Sequence, residues 1–222
     1  MTYTVKEIFY TLQGEGAQSG RAAVFCRFTG CNLWTGLEAD RARAVCQFCD
    51  TDFVGTDGDH GGSFPSAADL VDVLARVWCA GAGTAPDASH RPPRVRPYIV
   101  FTGGEPLLQL DAELARVAGL AGFELAVETN GTRPVPPGVD WICVSPKAGA
   151  KLVQRAGHEL KLVYPQPGAE PELYADLDFD HFFLQPMAGP HLAAHQQATL
   201  QYCLHNPQWR ISLQTHKLLG IP

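Results

Sequence analysis

Apolar residues recur along the chain in short runs, each closed by glycine, proline or a polar cluster, and two periods alternate. Positions 5–12, VKEIFYTL, and 22–29, AAVFCRFT, are rich in β-branched and aromatic residues and predict strands. Over 66–80, SAADLVDVLARVWCA, the period changes. Leu70, Val73, Leu74, Val77 and Trp78 fall at i, i+3, i+4, i+7 and i+8, which lays one apolar stripe along a helix. Ser66 stands ahead of it as an N-cap, with Asp69 three positions on in the manner of a capping box. A proline- and arginine-rich stretch at 84–97 reads as an exposed loop. The run YIVF (98–101) then leads straight into TGGEP, and a helix follows across roughly 107–121. ELAVETN (124–130), WICVS (141–145), ELKLVY (159–164) and HFFLQP (181–186) are four more short strands. PHLAAHQQATLQYCLHN (190–206) is a second good helix, and RISLQTHKLLGIP (210–222) a closing strand and tail.

Short apolar strands alternating with helices imply parallel βαβ units and an α/β fold. At 222 residues the chain is short for a full eight-unit barrel of about 250. The crossover NGTRPVPPGV (130–139) is too rich in proline for an ordinary helix. The reading is therefore a partial, trimmed (β/α) barrel with parallel core strands. It forms a single domain over 1–222, with an extended loop at about 29–53. Such folds bind ligands beyond the C-terminal ends of their strands. The polar residues after successive strands should then converge: Thr102 to Glu105, Glu128 to Asn130, Ser145 to Lys147, and Gln185.

Charge and composition narrow the function classes. Formal net charge is −6, and Lys and Arg are scattered rather than gathered in a basic patch, so a small molecule is a better partner than nucleic acid. Hydrophobic residues make up 45% and charged residues 18%, as in a folded globular protein. No window approaches the ~20 uninterrupted apolar residues of a membrane helix, and the first residues lack the pattern of a signal peptide. The expected setting is cytosolic, where thiols stay reduced. There seven cysteines point to metal or catalysis rather than to disulfides.

Three cysteines fall within TGCNLWTGLEADRARAVCQFCDTDF (29–53). Cys46 and Cys49 form a C-x-x-C knuckle able to face one metal site, while Cys31 stands fourteen residues upstream of Cys46. Two metal readings compete. With Cys26 added, four thiolates would suit a closed structural zinc. With Cys31 alone added, three thiolates would hold an iron–sulfur cluster one ligand short, leaving an iron open to an external ligand. Strand alternation puts Cys26 on the face of Val24 and Phe28, away from Arg27, which favours a buried strand cysteine and the three-ligand reading. Cys79, Cys143 and Cys203 fall at ordinary packing positions.

YIVFTGGEP (98–106) places two glycines directly after a strand, where backbone can approach a ligand closely. Pro106 suits the first turn of the next helix, and Glu105 could accept hydrogen bonds from a cationic amine. Together with the cysteine trio, this motif resembles the radical S-adenosylmethionine enzymes, although their usual spacing is C-x3-C-x2-C. Further stretches narrow the resemblance. EIFYTLQGEGAQSGRAAVFCRFTGCNLW (7–34), CDTDF (49–53), FTGGEP, VETNG (127–131) and VSPK (144–147) match, in order, the 7-carboxy-7-deazaguanine synthase family of the deazapurine (queuosine) pathway.

The resemblance implies a ring contraction of 6-carboxy-5,6,7,8-tetrahydropterin to 7-carboxy-7-deazaguanine with loss of ammonia. It implies three cofactors: a [4Fe-4S] cluster, S-adenosylmethionine and Mg2+. The open iron would chelate the amino acid end of S-adenosylmethionine, and a deoxyadenosyl radical would take and return a hydrogen. Residue by residue, it makes Cys31, Cys46 and Cys49 the cluster ligands and Thr51 a ligand of Mg2+. Gly103, Gly104 and Glu105 would line the methionine moiety, and Glu128, Ser145, Pro146, Lys147 and Gln185 the ribose and adenine. The pterin would meet Leu12, Gln13, Gly14, Glu15, Arg27, Thr102, His216 and Pro222. A flavodoxin- or ferredoxin-type electron donor and a homodimer are expected on the same ground. Two rivals stand beside this reading: a zinc-stabilised binding module and a radical enzyme that activates a glycyl-radical partner.

Overall fold

A computed structural model describes residues 2–83 and 95–222, so most of the proline- and arginine-rich stretch read as an exposed loop lies outside the described residues. Strands β1 (Tyr3–Leu12) and β2 (Ala22–Phe28) are joined only by residues 13–21. That is fewer than the dozen or so a parallel crossover needs, so the two pair antiparallel as a hairpin. β3 (Gly62–Phe64), a short strand that the apolar pattern does not signal, adds antiparallel to the outer edge of β1. From β2 onward the pairing is parallel, through β4 (Tyr98–Gly103), β5 (Glu124–Thr129), β6 (Trp141–Val144), β7 (Ala156–Tyr164), β8 (Asp178–Pro186) and β9 (Trp209–Ile211). The nine strands lie in the order β3-β1-β2-β4-β5-β6-β7-β8-β9. The sheet is thus the parallel core anticipated for a trimmed barrel, preceded by an antiparallel edge.

Helix α1 (Ala67–Gly81) starts where its cap predicts: Ser66 Oγ accepts the Asp69 N–H at 3.2 Å and donates to its carboxylate at 2.6 Å. It buries Leu70 and Leu74 completely against β1 and β2, worth about 1.5–3 kcal/mol per side chain. The helix expected across 107–121 is shorter. A 3-10 turn at Pro106–Leu108 comes first, and α2 (Ala112–Leu120) begins only after Asp111, whose carboxylate takes the Leu114 N–H at 2.9 Å. Between them, the Gln109 side chain bonds both backbone groups of Thr4 and the Thr29 carbonyl, so residue 109 is held by the hairpin instead of by a helix.

Between β5 and β8 no α-helix occurs among the described residues. The proline-rich 130–139 accounts for the first of these bare crossovers. α3 (Leu192–His205) covers β8 and β9, and α4 (Thr215–Leu219) stands where the sequence pattern offered only a tail. One apolar core fills the space between the sheet and α1 and α2, and a second lies under α3. The other sheet face carries polar side chains together with a smaller apolar cluster of Ala23, Tyr98, Val100 and Ala126. Its floor is sealed by Arg21, which grips Glu124 through two hydrogen bonds of 2.7 and 2.6 Å and lies 3.8 Å over the Tyr98 ring.

Candidate active site

At the C-terminal ends of the parallel strands, on the polar face, lies a cavity of about 420 Å³. Cys31, Cys46 and Cys49 all line it. The fourteen residues between the first two are a folded unit. The Val45 and Cys46 N–H groups return to the Leu33 carbonyl at 3.0 and 3.3 Å, and residues Glu38–Arg43 form a 3-10 helix. Arg41 closes the unit: one guanidinium nitrogen bonds the carbonyls of Gln47 and Cys49, each at 3.0 Å, while the group lies 4.1 Å over the Trp34 ring. Trp34 in turn meets Phe53 edge-on.

The thiols are electrically distinct. A hydrogen bond from the Cys46 thiol lowers Cys49 to about 6, against the opposing effect of burial, and the same bond pushes Cys46 up. Burial raises Cys31, partly offset by the N–H groups of Leu33 and Trp34. The ammonium of Lys147 stands near the Cys46–Cys49 pair and itself bonds the Ser145 carbonyl and hydroxyl at 2.6 and 2.7 Å. Burial lowers that ammonium's pKa, and the two thiols pull it back.

Cys26 does not join the trio. It is fully buried with Val24 and Phe28 in the helix-side core, across the sheet from Arg27. Among the described residues no set of three or more His, Cys, Asp or Glu side chains is arranged to hold a single metal ion. A [4Fe-4S] cube spreads its thiolates over different irons, so three thiols around one cavity, with one already acidic, fit that group.

The glycines after β4 owe their identity to packing. Gly103 has φ +146°, and a side chain there would strike the Phe28 backbone; one on Gly104 would strike the Gly30 carbonyl and Cys31 Cβ. The Glu105 N–H completes the join by donating to the Gly30 carbonyl at 2.9 Å. Glu105 itself is fully buried and absent from the cavity wall. Its carboxylate accepts the N–H of Leu107 at 2.9 Å, the hydroxyl of Thr129 at 2.7 Å and the N–H of Asn130 at 2.8 Å. Here it ties the end of β5 to the turn after β4 rather than facing a ligand. Pro146 also stays out of the wall, whereas Thr102, Gly103, Gly104, Glu128, Ser145, Lys147 and Gln185 line it.

Across the cavity stand Leu12, Gln13, Gly14, Glu15 and Arg27. The Arg27 Nε donates to Glu7 at 2.7 Å, its register partner on β1, and among the described residues its terminal nitrogens make no hydrogen bond. Below it Phe9 and Phe25 stack at 5.5 Å. The tail turns inward over this wall. Thr215 donates to the Gly14 carbonyl through its N–H and its hydroxyl, the His216 ring packs where a Gly14 side chain would be, and the Thr11 hydroxyl donates to the backbone oxygen of Pro222 at 3.0 Å. Thr51 is flanked by two spoken-for acids: Asp50 pairs with Lys217 at 2.5 Å and Asp52 with Lys6 at 2.9 Å.

Sequence reasoning missed the residue that ties this wall together. Lys161, nearly inaccessible on β7, donates to Glu15 at 2.6 Å and to Glu128 at 3.3 Å. Glu15 also accepts the amides of Gln185 and Gln214 at 3.1 and 3.0 Å, and Gln13 donates to Glu128 at 2.8 Å. Burial alone would raise the Glu15 carboxyl. The charge and hydrogen bond of Lys161, with that of Gln214, outweigh it and hold the group below its usual range. The signal was present in ELKLVY, where a lysine between two leucines of a buried strand must face the opposite side.

No protein-family model matches the sequence. A 7-carboxy-7-deazaguanine synthase of Bordetella pertussis is 62% identical over 222 residues, covering the whole of both chains. The corresponding proteins of Caulobacter vibrioides and Nitratidesulfovibrio vulgaris are 59% and 53% identical, again over full length. Among solved structures, QueE from Escherichia coli matches with a TM-score of 0.69 at 26% identity, covering 96% of this chain and 94% of that one.

Proposed function

The chain belongs to the 7-carboxy-7-deazaguanine synthase family, and we propose that its cavity converts 6-carboxy-5,6,7,8-tetrahydropterin to 7-carboxy-7-deazaguanine with release of ammonia, a step of deazapurine biosynthesis. The observation that carries this reading is the convergence of three thiols, one of them acidic, with a glycine turn and a carboxylate–arginine wall around one cavity.

When bound, the [4Fe-4S] cluster and S-adenosylmethionine supply the one-electron chemistry that removes and returns a substrate hydrogen. Cys31, Cys46 and Cys49 would hold the cluster with one iron open, and Arg41 fixes the Cys46–Cys49 turn that presents two of these thiols. Gly103 and Gly104 offer backbone to the methionine end. Glu128, Ser145, Lys147 and Gln185 stand at neighbouring strand ends, suited to a ribose and adenine. At the pterin side, Glu15 has most of its acceptor capacity taken by Lys161, Gln185 and Gln214. A pterin N–H and amino group gain it by displacing the two neutral amides while the ammonium stays. Arg27, with Nε held by Glu7, keeps its outer nitrogens for a two-pronged grip on the substrate carboxylate. Mg2+ would take the Thr51 hydroxyl. Asp50 and Asp52 are paired to lysines, so a substrate carboxylate would supply the negative charge such an ion needs. Phe9, Phe25, His216 and Pro222 line this end of the cavity.

A flavodoxin- or ferredoxin-type protein is the proposed electron donor. The exposed Leu37 and Val45 on the cluster loop offer it an apolar footing. A homodimer in the cytosol completes the reading; no helix among the described residues is long and apolar enough to cross a membrane.

The test is anaerobic. Reconstituted protein should bind about four irons and as many sulfides, the expected content of a [4Fe-4S] centre. Its reduced EPR spectrum should shift on adding S-adenosylmethionine, and it should turn the pterin into a product of the deazaguanine mass. One zinc with no sulfide, or a cluster with no pterin turnover, would overturn the reading.

A further inference from the structure

Three carboxylates and a thiol meet on the polar face with one cation among them. Around the Lys161 ammonium stand Glu15 from the turn after β1, Glu128 from β5, Cys143 from β6 and Glu159 from β7 itself. Lys147, after β6, and His216, on α4, are the other basic groups whose charge reaches this cluster. Glu159 and Lys161 are almost wholly buried, while Glu15 and Glu128 are partly exposed. Glu159 is engaged away from the cavity, accepting the Ala17 N–H at 2.9 Å and touching the Cys143 sulfur at 3.5 Å. Glu15 and Glu128 both line the main cavity, on the pterin side and the cofactor side respectively.

We propose that Lys161 is a positioning residue for both ligands at once, its single ammonium being the shared counter-ion that holds Glu15 in place for the pterin and Glu128 in place for S-adenosylmethionine. This rests on the reading of the site given above. The geometry supports a shared rather than a private partner, because the two contacts, 2.6 and 3.3 Å, come from one nitrogen at the end of one fully buried stem. Burial works against that charge, but Glu128, Glu15, Cys143 and Glu159 together outweigh it and keep the ammonium well above its ordinary value. The cation therefore persists across the whole working pH range. Without it, Glu15, Glu128 and Glu159 would face one another with no counter-ion, and their mutual repulsion raises each pKa, so that Glu15 and Glu128 are both partly protonated toward pH 6. A protonated carboxyl loses acceptor capacity, so the ligand that needs it binds less well.

Anaerobic calorimetry on the reconstituted holoenzyme tests this, titrating S-adenosylmethionine and the pterin separately from pH 6 to pH 9. The quantity read is the ratio of each dissociation constant to that of the unaltered enzyme at the same pH, which cancels the titration of the ligands' own groups. For Lys161→Gln both ratios should reach about tenfold or more near pH 6 and fall as pH increases, since the crowded carboxylates ionise only then. A merely structural lysine would give a uniform loss with no pH dependence. Should Lys161→Gln not fold, Lys161→Met combined with Glu159→Gln removes one buried charge of each sign. The pH-dependent loss should then persist in reduced form. Unchanged affinities, a loss that does not vary with pH, or a response confined to one ligand would each overturn the proposal while leaving the enzyme reading intact. An unaltered holoenzyme that binds neither ligand would overturn both.

Discussion

Gly104→Ala tests whether the glycine turn is a packing device that sets the position of a cluster ligand. The added methyl would meet the Gly30 carbonyl and Cys31 Cβ, inside the distance at which carbon atoms normally stop. The obstacle is mostly backbone, which cannot swing aside as a long side chain would, so the ends of β2 and β4 must part. Overpacking of this kind costs about 1–3 kcal/mol. In a chain of this size each kcal/mol moves Tm by about 2–4 °C, so the metal-free protein should melt about 2–12 °C lower. The displacement falls on Cys31, and iron bound after reconstitution should drop with it. Gly119→Ala is the matched control. It lies inside α2 with nothing within 4 Å of the new methyl. The same substitution there should raise stability by about 0.5–1 kcal/mol through helix propensity alone. Calorimetry of both variants, with iron and sulfide counts, decides the matter. If Gly104→Ala melts with the parent and takes up a full cluster, the close approach of the two strand ends is not what requires glycine.

Cys26→Ala should cost about 1–2 kcal/mol of stability by leaving a small void in the core, with iron and sulfide unchanged, whereas Cys31→Ala should abolish the cluster; loss of iron in the first variant would restore the four-thiolate site. In the metal-free protein, alkylation of Cys49 should rise through pH 6 and level off by neutral pH, because the Cys46 thiol stabilises its thiolate. An unperturbed thiol would still be gaining reactivity above about pH 8, and mapping the labelled residue by mass spectrometry separates the two cases.

Much of the architecture was legible locally. α1 could be read because its stripe, its serine cap and its length all agree, and each is a property of residues within a few turns of one another. The run into TGGEP marked β4, and strand alternation was enough to separate Cys26 from Arg27. The strand ends did converge on the cavity, apart from Pro146 and from Glu105, whose carboxylate found three donors inside the protein. No local pattern could show that, because Thr129 and Asn130 lie about 25 residues away and meet it only once β4 and β5 are neighbours.

The same holds for the length of the cysteine loop. Its sequence showed a gap of fourteen residues, but Arg41 ties it into a folded unit by reaching carbonyls and a ring that only the folded loop brings together. Lys161 is the sharpest case. Alternation along β7 determines which way it points, but whether a buried lysine is a liability or a counter-ion depends on what faces it. Glu15 is 146 residues away and Glu128 is 33, so the strand order decides that a single ammonium lies between them. Periodicity and capping are short-range and written in the chain; the pairing of buried charges is long-range, and the tertiary fold alone determines it.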